Sequence, residues 1–396
     1  MSAIIRRRHT ASLTLVAFAL LAFTACNSGG GSSSNAGSST SSGSPPSVNG
    51  SGLPGVSAAM AFVTNTGAGN IGSYSVDTGQ ISYAPTGMTA TETQSVPRWI
   101  TLNGNFAYVA NAGFDDISTY SVAQGVLSAT PVSTTNPIIG ARPNKIILNS
   151  AGTMAYVANL GGADVSTFQI ANGVLAANPV SITTSVPGYD MAGIILSPSG
   201  NHLYAVYFAN SGSSGDGYIA SFGLTNGVPS ISPQSTSSVL AATSPMGIAI
   251  SLTGQDVYVV NTGTGDVSTY SVNNGFLSAN PVGTTTPISG STPFIDALDP
   301  SGNFLYVANT GTGTIVSYAI TNGAPAATPL STTDAVVGSQ PFAVVVGPGG
   351  HFVYVTNEGS GTVASYAISN GVLAPTPTRT TTPVSGSGPL WVALAP

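Results

Sequence analysis

A tetrapeptide recurs down this chain at nearly constant spacing: Tyr108-Val-Ala-Asn111, Tyr156-Val-Ala-Asn159, Tyr258-Val-Val-Asn261, Tyr306-Val-Ala-Asn309 and Tyr354-Val-Thr-Asn357. Phe62-Val-Thr-Asn65 opens the series, and Tyr204-Ala-Val-Tyr207 is a degenerate copy. The tyrosines at 108, 156 and 204 stand 48 residues apart, as do those at 258, 306 and 354. The step from 204 to 258 is 54, so that unit carries six extra residues, and the step from Phe62 to Tyr108 is 46. A period near 48 with no helical pattern predicts one four-stranded propeller blade per repeat.

Each unit reads as four short strands. The first follows a proline, as in Pro245-Met-Gly-Ile-Ala-Ile250 or Pro341-Phe-Ala-Val-Val-Val346. A turn such as Ser-Pro-Ser-Gly200 leads into the Tyr-Val strand, and a Gly-rich turn into a third strand such as Val267-Ser-Thr-Tyr-Ser-Val272. Asn-Asn-Gly275 then leads to Phe276-Leu and an outer Pro-Val. The third strand alternates apolar and small polar residues, as a half-buried strand requires. Gly and Asn fall where turns need positive φ, and proline heads strands where a missing N–H does no harm.

The first unit lacks a proline-headed strand, whereas the chain ends on an unpartnered one, Pro389-Leu-Trp-Val-Ala-Leu-Ala-Pro396. The expected fold is therefore all-β: a seven-bladed propeller over 57–396, closed by its last strand completing the N-terminal blade. Closure also removes exposed sheet edges.

With these motifs assembled, the chain resembles the lactonase-type, YVTN-repeat family of seven-bladed propellers, which includes 6-phosphogluconolactonases and carboxymuconate cyclases. The resemblance covers roughly residues 56–396, taking a blade of about 40 to 50 residues as the unit. It implies the propeller fold and, as one option, lactone hydrolysis. Such relatives place histidine, arginine and an acid around the channel mouth. Here Pro143-Asn-Lys145 stands where the resemblance would put histidine, and Asn159-Leu-Gly-Gly-Ala-Asp164 carries Asn for the first Asp of the family's turn.

Residues 1–26 read as an export signal: Arg6-Arg-Arg8 precedes an apolar run, Leu13 to Phe23, too short to span a membrane. The run ends at Phe23-Thr-Ala-Cys26, which resembles a lipoprotein lipobox, so Cys26 is the expected lipidation site. It is the chain's single cysteine, which excludes an intramolecular disulfide. Asn27 in place of Asp leans the expected destination towards the outer membrane. Residues 27–56, nearly all Gly, Ser, Asn, Thr and Pro, read as a flexible tether with an r.m.s. reach of about 30 Å.

Beyond the signal, four basic residues (Arg98, Arg142, Lys145, Arg379) face thirteen acidic ones, a formal charge of −9. No basic patch exists, which excludes nucleic acid as a partner. The acids and histidines form no metal-ligand motif, and the Gly-rich stretches join strands rather than opening helices, so no metal and no nucleotide cofactor is expected. The expected partners are the membrane, through Cys26, and a carbohydrate, lactone or protein ligand. The propeller is expected to be a monomer.

In a four-stranded meander the start of the first strand and the end of the second lie at one end of the blade. Arg98, Arg142, Asn144, Lys145, Tyr189, Asp190 and Asp296 are therefore expected near one mouth of the central channel. Arg98, Arg142, Asn144, Lys145 and Tyr189 are the candidate ligand-binding residues, and Asp296, Asp190 and Arg98 the candidate catalytic ones. Asp296 replaces the Ile or Val found at its position in the other inner strands, and a carboxylate on an apolar face is costly unless paired or hydrated. Asp116, Asp164 and Asp266 share one place in three Gly-rich turns and read as turn chemistry. His202 and His351 fall at the opposite end, as solvated turn residues. Trp99 and Trp391 match in adjacent inner strands and are expected to pack between blades. Three functions remain open from the residues: a non-catalytic envelope propeller binding a ligand at the mouth, a sugar-lactone hydrolase using a rim Arg or Lys and an Asp, and an envelope structural or adhesive module whose Thr/Ser surface self-associates.

Overall fold

The Tyr-Val-x-Asn segments each form the second strand of a sheet because alternate side chains bury on opposite faces. In Phe106–Asn111, for example, everything after the first residue is buried. A computed structural model describes residues 60–395 except 93, 137, 211–215, 239–242, 337 and 385; the signal, Cys26 and tether assignments lie outside the described residues. Among the described residues there are seven antiparallel meanders, each running inner, second, third, outer. Blade 1 begins at Met60–Asn65. The inner strands of blades 2 to 7 are Pro97–Asn103, Pro143–Leu148, Tyr189–Leu196, Pro245–Ile250, Pro293–Leu298 and Pro341–Val346.

The last strand, Pro389–Ala395, pairs antiparallel with Met60–Asn65, with Val392 opposite Val63, so the chain's end supplies the inner strand of blade 1. Each inner strand also contacts the inner strands of both neighbours, which closes the ring around a central channel. Where blades 7 and 1 meet, Tyr354 and Val363 pack with Ala61, Val63, Tyr74 and Val392 in one fully apolar cluster. Burial of this kind contributes roughly 1.5–3 kcal/mol per large side chain.

The repeat residues have separable jobs. The tyrosine hydroxyl crosses to the next blade and donates to the glycine carbonyl of its Asn-Gly-type turn: Tyr108 to Gly173, Tyr156 to Gly227 and Tyr258 to Gly323. Tyr354 donates to Gly79 at 2.8 Å and so ties blade 7 to blade 1. The asparagine locks its own hairpin: Asn111, Asn159 and Asn261 donate to Asp116, Asp164 and Asp266, which is the turn chemistry expected of those acids.

Two expectations are corrected. The outer strand is split in two, Phe276–Leu277 and Gly283–Thr284 in blade 5, and the Pro281-Val282 pair bridges the gap rather than forming the strand. Proline there cannot donate to the ladder. His202 is not a free turn residue: its ring covers Gly275 in the turn of the next blade, as Phe106 covers Gly173 and Phe352 covers Gly79.

Candidate functional site at the channel mouth

The six proline-headed inner strands slip register just after their first residue, as between Pro97 and Trp99 or Pro143 and Lys145, and that of blade 4 slips between Met191 and Gly193. A bulge frees one residue from pairing and re-aims its side chain. The residue before the inner-strand proline adopts positive φ in blades 2, 3, 5, 6 and 7, at Val96, Arg142, Ser244, Thr292 and Gln340. Left-handed backbone is disfavoured before proline and costly for β-branched Val96. Its repetition at one end of the ring marks the mouth as a place where the fold holds the chain against local preference. For Arg142 the restraint is visible: Asp115 accepts from the backbone N–H groups of both Gly140 and Arg142, at 2.7 Å each.

The freed bulge residues form the first ring at the mouth. Arg98 Nη1 donates to Asn144 Oδ1 at 3.1 Å, and Asn144 Nδ2 donates to the Ala192 carbonyl at 2.8 Å, linking three consecutive blades. Across the ring the same positions hold Phe294 and Phe342, whose rings lie 5.1 Å apart. One side of the mouth is therefore polar and the other aromatic.

Burial pulls the Arg98 guanidinium down to about 10, helped by nearby Arg142 and opposed by Glu358. Arg98 Nε is buried with no hydrogen-bond partner. Burial raises the Glu358 carboxyl and Arg98 counters it. Sequence reasoning missed Glu358, although the signal was present. It directly follows Asn357, where Thr66, Thr262 and Thr310 instead donate to the inner-strand proline carbonyl of the next blade.

The second ring lies one residue deeper, and it is uneven. Trp391 and Trp99 stack with centroids 3.4 Å apart, which joins blades 1 and 2 as expected. Lys145 Nζ lies 5.1 Å from the Trp99 ring centroid, within cation–π range. Blades 4 and 5 then present Gly193 and Gly247, which leave the wall bare. A Cβ at Gly193 would stand 3.9 Å from Lys145 Cδ, and one at Gly247 only 2.7 Å from Asp296 Oδ1. The carboxylate of Asp296, from blade 6, occupies the space that Gly247 vacates.

Both Asp296 oxygens are buried without a hydrogen-bond partner of good geometry, and Lys145 and Asp296 act on one another through charge. Burial lifts Asp296 to about 7, against the pull of Lys145 and of its own backbone N–H. Burial lowers Lys145 to about 8, against the pull of Asp296. Lys145 is enclosed by protein yet keeps partial solvent access, because it faces the channel rather than a sealed core.

The predicted constellation thus divides. Arg98, Arg142, Asn144, Lys145 and Asp296 are linked by hydrogen bonds or charge, with Glu358 added. Asp190 accepts from Asn210 at 3.1 Å, within blade 4. Tyr189 packs edge-on against Tyr218, which in turn stacks on Tyr207. These side chains belong to blade 4, whose inner strand starts two residues earlier than a proline-headed one would. Arg379 lies over Tyr83 on the outer wall. Among the described residues no group of three His, Cys, Asp or Glu is placed to hold a metal. An open cleft of about 430 Å³ lined by Asn149, Thr153 and Gly227 opens at the opposite end and carries no charged group.

A closed seven-bladed propeller whose few cations and one buried acid stand near one end of its inner strands defines the class of protein. Residues 192–393, just over half the chain, match the family described as lactonase, 7-bladed beta-propeller, and the chain belongs to it. Curated proteins give no match. Among solved structures, the periplasmic gluconolactonase of Pseudomonas aeruginosa is similar at 19% identity and a TM-score of 0.69, covering 85% of this chain and 99% of that one. A Lactobacillus plantarum protein is similar at 19% identity and a TM-score of 0.70, covering 85% and 99%. Kuenenia stuttgartiensis hydrazine synthase reaches a TM-score of 0.62 at 18% identity, covering 78% and 93%. Likeness at such identities speaks for the fold, which hosts unrelated chemistries.

Proposed function

We propose that the channel mouth binds a small polyhydroxy acid or its lactone. The observation that carries this reading is a local reversal of charge. In a chain of net charge −6, Arg98, Arg142 and Lys145 gather at one end of two neighbouring blades, and Arg98 Nε is left buried and unpartnered. A carboxylate or lactone carbonyl satisfies such guanidinium donors, while Asn144, Glu358 and Asp296 offer partners to hydroxyls. The aromatic side of the mouth suits the apolar face of a sugar-like ring. Titration calorimetry with gluconate and glucono-1,5-lactone tests it. Arg98→Ala is expected to weaken binding at least about tenfold, matching a lost charge-assisted hydrogen bond of about 1.5–3 kcal/mol. Equal affinity in that variant, or no binding to wild type, refutes it.

Asp296 supports a second reading, hydrolysis of the lactone. A carboxylate with free oxygens and a pKa lifted towards neutrality suits a general base for water, and Lys145 or Arg98 suits stabilisation of the developing oxyanion. Lactone opening above the spontaneous rate, lost in Asp296→Asn, distinguishes turnover from binding. For the N-terminus we propose a lipid anchor at Cys26 holding the propeller at the cell envelope; palmitate labelling that survives Cys26→Ser would rule it out.

A further inference from the structure

Lys145 is the only lysine in the 396 residues. The single side-chain amine of the chain is therefore not spent on the surface, where lysines usually serve solubility. It stands in the channel, between the Trp99 ring and the bare backbone of Gly193. On the far wall is the one inner-strand carboxyl set among Ile and Val positions, with both oxygens unpartnered. We propose that Lys145 is a nucleophilic amine that forms an imine with small aldehydes entering the channel, and that Asp296 moves the protons. This goes beyond ligand recognition at the mouth and does not depend on it, since it requires neither Arg98 nor a carboxylate on the ligand.

The chemistry balances without an outside oxidant or reductant. The neutral Nζ lone pair attacks the aldehyde carbon, an N–C bond forms, and the carbonyl π pair moves to oxygen. Protonated Asp296 gives its proton to that oxygen, and the resulting carboxylate takes one from nitrogen, leaving a carbinolamine. Asp296 then protonates the hydroxyl, which departs as water as the nitrogen lone pair makes C=N. The products are water, a cationic iminium at Lys145 and a carboxylate at Asp296 facing it. A lysine whose neutral form is favoured by desolvation is the form this attack needs. Gly193 leaves the wall beside Lys145 without a side chain, which makes room there for a small carbonyl compound, while Gly247 makes room for the Asp296 carboxyl that serves it.

Propanal with sodium cyanoborohydride tests this on the purified full chain, read by intact mass and by peptide mapping. Besides the chain's amino terminus there is no competing primary amine. One propyl group at Lys145 is expected, forming at least about tenfold faster in the folded protein than in the same protein unfolded in urea. Asp296→Asn should slow labelling at least about tenfold, with unchanged circular dichroism showing that it folds. Labelling of folded Lys145 no faster than in urea, or labelling confined to the amino terminus, overturns the proposal. So does an Asp296→Asn variant that folds and labels at the wild-type rate, because the acid is part of the claim. These readouts are covalent, so they stand or fall separately from gluconate binding.

Discussion

Lys145 and Asp296 are held where their charges cost most. A carboxyl whose pKa rises on folding exacts nothing while the unfolded chain is also protonated, then costs more as pH climbs from its ordinary 3.8 to about 7. An amine whose pKa falls costs a constant amount below about 8 and is relieved above it. The pair therefore depresses stability most near pH 7 to 8. The double variant Lys145→Met/Asp296→Val restores the apolar pattern of the other inner strands and is expected to raise Tm by about 2–5 °C near pH 7.5. The gain should grow from pH 4 to 7 and shrink above pH 8; scanning calorimetry over that range checks both arms. The glycines beside the pair differ in a measurable way. Gly247→Ala drives a Cβ to 2.7 Å from Asp296 Oδ1 and 2.8 Å from Val260 Cγ2, and should cost about 1–3 kcal/mol in denaturant unfolding. A Cβ at Gly193 meets nothing nearer than 3.4 Å, so Gly193→Ala should cost far less while crowding Lys145.

The second strand of each blade carries an interblade bond that not every copy completes. Tyr354 donates to Gly79, whereas the equally buried Tyr306 hydroxyl has no partner. Tyr354→Phe should thus destabilise by about 1–2 kcal/mol, since it also strands the Gly79 carbonyl, and Tyr306→Phe should be neutral or slightly stabilising. Urea midpoints of the two variants decide this, and equal losses would show that the hydroxyl bond is not what the tyrosine supplies. The inner strand shows the opposite division of labour. Its apolar positions face neighbouring blades and repeat in every blade except at Asp296, while the bulged position and the one after it vary from blade to blade. Function collects where the repeat is relaxed.

Ring closure makes seven marginal sheets into one cooperative body. Removing residues 389–396 strips blade 1 of its inner strand and exposes the Ala61, Val63 and Tyr74 seam, so Tm should fall by about 10 °C or more, or the single transition should be lost. An unchanged transition would mean that closure contributes nothing. The 48-residue period, the turn residues and the orphan strand at the C-terminus made blades, blade number and closure legible, because each is a local pattern read against a fixed repeat. Asp296 was legible for the same reason: it breaks its column. Glu358 and the glycine pair were not recognised, since their meaning depends on what stands across the ring. By itself, then, the sequence determined a seven-bladed ring and which end of it bears the charges, because strand period and turn chemistry act between near neighbours. Only the tertiary structure decided that Lys145 and Asp296 would act on each other's charge, with Gly193 beside the one and Gly247 beside the other, and that Tyr189 and Asp190 would take their partners within blade 4. Distances across a channel depend on how blades are stacked around the axis, and no spacing along the chain encodes them.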